Sequence, residues 1–277
     1  MGIIEAVVLG VVEGVTEFLP VSSTAHLTIA EKLFGHSIND PGIVAFTAII
    51  QLGAIFATLA YFRKDIWRIV TGWLGGVFDD TKRTADYRFG WAVIVGSIPI
   101  AITGLAFKDQ IEHNLRSLWL IAIALLAWSG VMWLADQKAR QNRHEKDESW
   151  RDTLIIGLAQ CLALIPGVSR SGATISTGLL RGFDRVAATR LSFFLAIPAL
   201  LAAGSLETVS KWSDISRGVG WPATLVATAV SFVVAYASIA WLLNFVAKHS
   251  FNVFILYRIC LGMLLVILLA AGLISAT

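Results

Sequence analysis

The sequence predicts an all-α integral membrane protein with six transmembrane helices and two re-entrant helical hairpins, arranged as an inverted-topology repeat. Three observations lead there. The 277 residues are 56% hydrophobic and only 15% charged, far from the balance of soluble domains. Six apolar segments approach the roughly 20 residues that a helix needs to cross a bilayer. Two shorter apolar pieces break at a proline and resemble each other at an offset of 147 residues, Gly10 to Gly157.

The six spans are expected at 46–62, 89–107, 118–135, 192–206, 222–246 and 253–274, of which the fourth is the shortest. The piece at 153–165 would measure about 20 Å as a helix against a hydrocarbon core of about 30 Å, and it stops at Pro166 and Gly167. Its counterpart at 3–19 carries two carboxylates and stops at Pro20. Each therefore reads as the first arm of a hairpin, with 22–34 and 169–180 as the second arms. Gly10 pairs with Gly157, Glu13 with Gln160, Val21 with Val168, Ser22 with Ser169, Ser23 with Arg170, Phe46 with Phe193 and Ile50 with Ile197. Each unit holds one hairpin and three spans, and an odd number of crossings turns the second copy upside down. This makes a single membrane domain, with repeat 1 at about 1–135, a polar loop at about 136–151 and repeat 2 at about 152–277. The hairpins then enter from opposite faces and meet near the midplane, where broken helix ends line a polar cavity.

Loop charge sets the orientation. Arg63, Lys64, Arg68, Lys82, Arg83 and Arg88 come after the first span, and Lys138, Arg140, Arg143, Lys146 and Arg151 after the third. The loops after spans two and four carry only Lys108, Arg116, Lys211 and Arg217. The first group is expected in the cytoplasm, so both termini face outward. The stretches FDDTKRTADYR and DQKARQNRHEKDESWRD read as solvated loops of that face, and the charge bias speaks to the membrane and not to nucleic acid. Trp67, Trp91, Trp119 and Trp221 fit an interfacial aromatic belt. Cys161 and Cys260 read as small buried hydrophobes within apolar segments. No cleavable signal peptide is expected, because residues 1–5 lack a basic region and Glu13 and Glu17 interrupt the apolar stretch after them.

The chemistry concentrates in the hairpins. Glu13 and Glu17, four apart, share one face of a helix. Two like charges in an apolar arm need a compensating cation or proton, so they suit a divalent metal or a general acid and base pair. After Pro20, the run Ser22, Ser23, Thr24, Ala25, His26 begins a new helix. One serine serves as its cap. His26 lies three residues after Ser23 on the same face, and a hydroxyl beside an imidazole is equipment for an activated nucleophile or a proton relay. The second hairpin, PGVSRSGATIS, contributes Arg170 among Ser169, Ser171 and Thr174 at a helix start. Helix amides, dipole and guanidinium together suit a phosphate; Arg170 also suits pairing with Glu17. Phosphate processed within a membrane belongs most naturally to a lipid. Gln51, polar within span one, is a candidate for the same pocket or for an interhelical hydrogen bond.

These motifs resemble those of the bacterial undecaprenyl-diphosphate phosphatases, the integral-membrane family associated with bacitracin resistance. EGVTEFLPVSSTAH is similar to the family's acidic motif and its serine-rich continuation, and PGVSRSGAT to its Pro-Gly-x-Ser-Arg-Ser-x-x-Thr motif; IQLGAI and FFLAIP extend the likeness along the chain. Ala25 stands where many members carry glycine. The resemblance implies removal of the terminal phosphate from a C55 polyprenyl diphosphate in the bacterial inner membrane, in a cavity open to the outer side. It also implies dependence on a divalent cation, Mg2+ or Ca2+, and leaves room for a homodimer among membrane lipids. Carried onto this chain, Glu13 and Glu17 are the acidic pair and the metal candidates. Ser23 and His26 are the catalytic pair, with Glu17 and Arg170 beside them, and Ser22, Thr24, Ser169, Arg170, Ser171 and Thr174 bind the phosphates. Ser23 as nucleophile, with His26 or Glu17 taking its proton, and a metal-activated water with Ser23 only orienting substrate both stay open. Two rivals remain: a lipid-phosphate transporter on the same inverted repeat, and a type 2 phosphatidic-acid phosphatase, for which His36, His113, His144 and His249 lack the spacing.

Overall fold

The computed structural model describes residues 1–38, 40–107 and 117–276. Lys108 and Arg116 of the orientation argument, and His113, lie outside the described residues. Among the described residues, twelve helices of six residues or more succeed one another: α1 Ile3–Thr16, α2 Ser23–Leu33, α3 Pro41–Tyr61, α4 Arg63–Phe78, α5 Ala85–Ala106, α6 Leu118–Lys138, α7 Trp150–Gln160, α8 Arg170–Leu180, α9 Arg185–Ser210, α10 Trp212–Arg217, α11 Trp221–Val246 and α12 Asn252–Ala270. Among the described residues, α3, α5, α6, α9, α11 and α12 are long and apolar enough to cross a membrane. This is an all-α, multi-pass membrane architecture.

The fourth span corrects its expected limits of 192–206. It runs from Arg185 to Ser210, because the charges that suggested its start are neutralised inside the protein. Arg190 is paired with Glu145 and with Asp65 at 3.1 Å, and Asp184 caps the first turn through Ala187 N. The basic stretch after the first span is also not simply loop. Arg63–Phe78 is a helix, and Trp67, Val70, Leu74 and Phe78 lie exposed along one of its faces, at the spacing of an amphipathic helix. Cys161 is half-buried and Cys260 exposed; the expectation of buried cysteines fails for Cys260, which sits on the outer, apolar face of α12.

Two short helix pairs pack among the spans. The first, α1 with α2, and the second, α7 with α8, each pack internally; α1 also lies along α11 and α7 along α5. Glycine makes those two crossings close. A Cβ on Gly10 would meet Ala227 O at 2.5 Å, and one on Gly157, its partner in the 147-residue offset, would meet Gly96 O at 1.9 Å. The pairs are tied at different ends of the molecule. Near the first, Lys32 Nζ donates to Ser275 O at 2.6 Å and His36 meets Glu5 at 3.2 Å. Near the second, Arg143 and Arg181 converge on Asp152.

Candidate active site

The first arms end one turn before their prolines: α1 stops at Thr16, and α7 passes into a short 3-10 turn at Cys161–Leu164. The second arms then start on serines with the same unusual backbone. Ser22 (φ 76°, ψ 95°) and Ser169 (φ 74°, ψ 122°) are both in positive-φ conformations, costly for a residue with a Cβ and retained where the surroundings enforce them. Ser22 Oγ accepts from Ala25 N at 3.4 Å and Ser169 Oγ from Gly172 N at 3.1 Å. Each cap starts an 11-residue helix at the wall of one cavity. Two positive dipole ends therefore face the same space.

That cavity measures about 520 Å³. Glu17, Ser22, Ser23, Thr24, Gln51, Gln160, Ser169 and Arg170 form its polar part, while Ile100, Ala101, Leu105, Pro198, Leu200 and Leu206 contribute to an apolar wall. Pro99 and Pro198 sit inside α5 and α9, where each removes a helical hydrogen bond and loosens the span beside the cavity.

Glu17 is the hub. Its Oε2 accepts from Ser23 Oγ at 2.6 Å and from Gln51 Nε2 at 3.4 Å, and its Oε1 accepts from Arg170 Nη2 at 3.1 Å. With 4% of the Glu17 side chain and 11% of Arg170 exposed, this pair is shielded from the screening that weakens surface ion pairs. Arg170 Nη1 donates to Ser192 O at 3.3 Å, and Nε has no acceptor among the described residues. A carboxylate on a serine hydroxyl, a guanidinium with a spare donor and two helix starts can deprotonate a nucleophile and hold a phosphoryl group.

Residues 6–264 match the family model described as "Bacitracin resistance protein BacA". The chain belongs to this family. It is similar to undecaprenyl-diphosphatase 3 of Frankia casuarinae, 64% identical over 100% of both chains, and to the undecaprenyl-diphosphatase of Cutibacterium acnes, 53% identical over 100% of both. The undecaprenyl-diphosphatase of a Mycobacterium species is 47% identical, again over 100% of both.

Not every residue expected at the site reaches the cavity. Ser171 Oγ donates to Leu19 O at 3.1 Å, and Thr174 Oγ1 donates to Arg170 O at 2.8 Å and meets Ser192 Oγ at 2.7 Å. Both are fully buried and brace the Arg170 helix from behind. His26 is turned away from Ser23. Its Nδ1 meets Ser22 O at 2.7 Å and its Nε2 meets Tyr257 Oη at 2.6 Å. A carbonyl carries no proton, so Nδ1 donates, and in the neutral ring Nε2 accepts from Tyr257. Both nitrogens are thus engaged, and Glu17 is the acceptor on Ser23. Glu13 lies one turn behind Glu17, fully buried, outside the cavity wall, with neither carboxylate oxygen hydrogen-bonded among the described residues.

Gln160 and Glu31 join the site without having been expected there. Gln160 is fully buried on the wall, its amide without a partner among the described residues; its pairing with Glu13 in the repeat was the available signal. Glu31 also lines the cavity and accepts from Thr47 Oγ1 at 2.6 Å. One turn of helix beyond Leu27, it has the sequence signature of an ordinary surface acid.

Proposed function

We propose that this chain hydrolyses undecaprenyl diphosphate to undecaprenyl monophosphate and inorganic phosphate, the activity named for its full-length relatives. The observation that carries the chemistry is the 2.6 Å bond from Ser23 Oγ to Glu17, whose other oxygen is held by Arg170. Glu17 takes the Ser23 proton as Oγ attacks the terminal phosphorus. Arg170 and the starts of α2 and α8 hold the non-bridging oxygens, and the lipid monophosphate departs. The Ser23 proton passes from Glu17 to the departing lipid monophosphate; water then attacks the phosphoserine, its proton passing to the freed Glu17 and from there to Ser23 Oγ as the P–Oγ bond breaks. Ser22, Thr24 and Ser169 are the phosphate-facing hydroxyls, and Gln51 steadies Glu17. Purified protein in detergent should release phosphate from a polyprenyl diphosphate without any membrane gradient; substrate binding without release would restore the transporter reading, which the relatives' names do not favour.

A divalent cation, Mg2+ or Ca2+, fits the donors. Glu13 offers two buried oxygens lacking hydrogen-bond partners among the described residues, and carboxylates are hard oxygen ligands. Among the described residues no cluster of three or more His, Cys, Asp or Glu could hold a metal alone. One or two carboxylates with substrate phosphates completing the shell is the usual magnesium arrangement, so Glu13 and Glu17 are the proposed holders. The cation would draw charge from the phosphate oxygens, in a cavity lined by Glu17, Glu31, Glu207 and Arg170. Chelation should abolish turnover and either cation restore it.

The inverted repeat, with repeats at about 1–135 and 152–277, is proposed on the matching serine caps, the matching glycine crossings and the ties of the two helix pairs to different ends. Both pairs are then re-entrant hairpins in one membrane domain. Orientation rests on loop charge: residues 63–88 and 138–151 in the cytoplasm, both termini outside, in the bacterial inner membrane. The cavity includes Thr28, Ile38, Leu105, Leu206 and Glu207, at the helix ends away from those loops, so it opens outward. Cysteine labelling of Lys32 and Arg140 variants in intact cells tests this; labelling at 140 without labelling at 32 would reverse the assignment.

A further inference from the structure

Arg258 is the largest fully buried side chain among the described residues, and it sits within the apolar helix α12. Among the described residues it has no carboxylate partner. Its guanidinium is spent entirely on neutral oxygens: Nη2 donates to Gly167 O at 2.9 Å and Leu125 O at 3.4 Å, Nη1 to Pro20 O at 3.4 Å, and Nε to Ser129 Oγ at 3.3 Å. Burying a charge in an apolar span is costly and marks a functional position. Pro20 and Gly167 are the two turn residues, equivalent in the 147-residue offset, and each precedes its positive-φ serine by two positions.

We infer that Arg258 is a positioning residue for the phosphatase reaction, clasping both turns from behind so that Ser23 and Glu17 on one keep their register with Arg170 on the other. The inference rests on the phosphatase reading. Only the planar fork of arginine can reach carbonyls on both turns at once; a lysine ammonium keeps the charge but not the span. The neighbouring Tyr257 reinforces the same grip on the first turn, through His26 to Ser22 O. The site needs that register because displacements of about 1 Å cost on the order of 10²-fold in rate.

The test compares Arg258→Lys and Arg258→Met with the parent, as purified full-length protein in detergent, by phosphate release from a polyprenyl diphosphate and by thermal unfolding. The expected result is a kcat about 10²-fold lower for Arg258→Lys, with KM and melting temperature little changed, and no better kcat for Lys than for Met. Full kcat in the folded Lys variant would overturn the inference, since charge alone would then suffice. Should the arginine variants fail to fold, Ser129→Ala removes the acceptor of Nε together with the Ser129 bond to Leu125 O, while leaving the guanidinium and both turn carbonyls in place; the inference expects a smaller kcat loss at unchanged KM, and unchanged kcat would overturn it. An inactive parent would instead sink the phosphatase reading.

Discussion

Two buried charge clusters in this molecule differ in one respect. At the end carrying residues 138–151, the two most deeply buried acids are closed by partners: Asp152 takes Arg143 at 2.6 Å, Arg181 at 2.9 Å and the Ser149 hydroxyl at 2.6 Å, and Asp136 takes Arg185 at 2.8 Å. On the cavity wall and one turn behind it, Gln160, Arg170 Nε and Glu13 are buried without partners among the described residues. An unsatisfied buried polar group costs about 1–3 kcal/mol, so three such groups gathered beside Glu17 are donors and acceptors suited to a bound polar partner. The closed cluster fixes helices; on the proposed reading, the open one is kept for substrate.

The largest effect that separates the clusters belongs to Ser23. Ser23→Ala should lower kcat by about 10³-fold or more and leave thermal unfolding nearly unchanged, read by phosphate release and a melting curve on the same sample. Arg170→Lys should come next, at about 10²-fold in kcat/KM, because a point charge cannot pair with Glu17 and clamp phosphate with the same fork.

Asp152→Asn should do the opposite, leaving the kcat of folded protein intact and costing about 1–3 kcal/mol of stability, less than for a fully buried pair because Arg143 and Arg181 are partly exposed. Burial alone would raise the Asp152 carboxyl, but hydrogen bonds from Arg143, Ser149 and Arg181 hold it well below its ordinary range. With the folded value below the unfolded one, its contribution is present above about pH 4 and fades as pH falls, which acid titration of parent and variant will register. The smallest effect is at Glu148, in the loop before α7. Burial first, and the nearby Glu145, push it up to about 7. Its folded value exceeds the unfolded 4.5, so stability is full below that value and declines as pH rises towards 7. Glu148→Gln should flatten this slope in melting temperatures measured between those limits.

Much of the fold is legible in the sequence, and the gaps have physical causes. The six spans stand out because apolar length is a composition signal that survives without tertiary information. The start of α9 is hidden because Arg190 looks like a helix end until Glu145 and Asp65 are brought to it by folding. The charges of α4 mask its amphipathic character, although Trp67, Val70, Leu74 and Phe78 repeat at helical spacing. At the site, Glu17, Ser23 and Arg170 converge as their types suggest. Whether Ser23 finds His26 or Glu17 is beyond sequence spacing, because the imidazole is held by Ser22 O and by Tyr257, which is 231 residues away in the chain. Arg258 escapes notice within an oily run, where a lone cation is itself the signal.

The central claim is that Glu17 activates Ser23 as the attacking group. Its most direct test is the stereochemical course at the terminal phosphorus, with a polyprenyl diphosphate whose terminal phosphate is made chiral by isotopic oxygen and sulfur. Attack by Ser23 and then by water is two displacements and predicts net retention of configuration; net inversion would mean that water attacks directly, and would contradict the account.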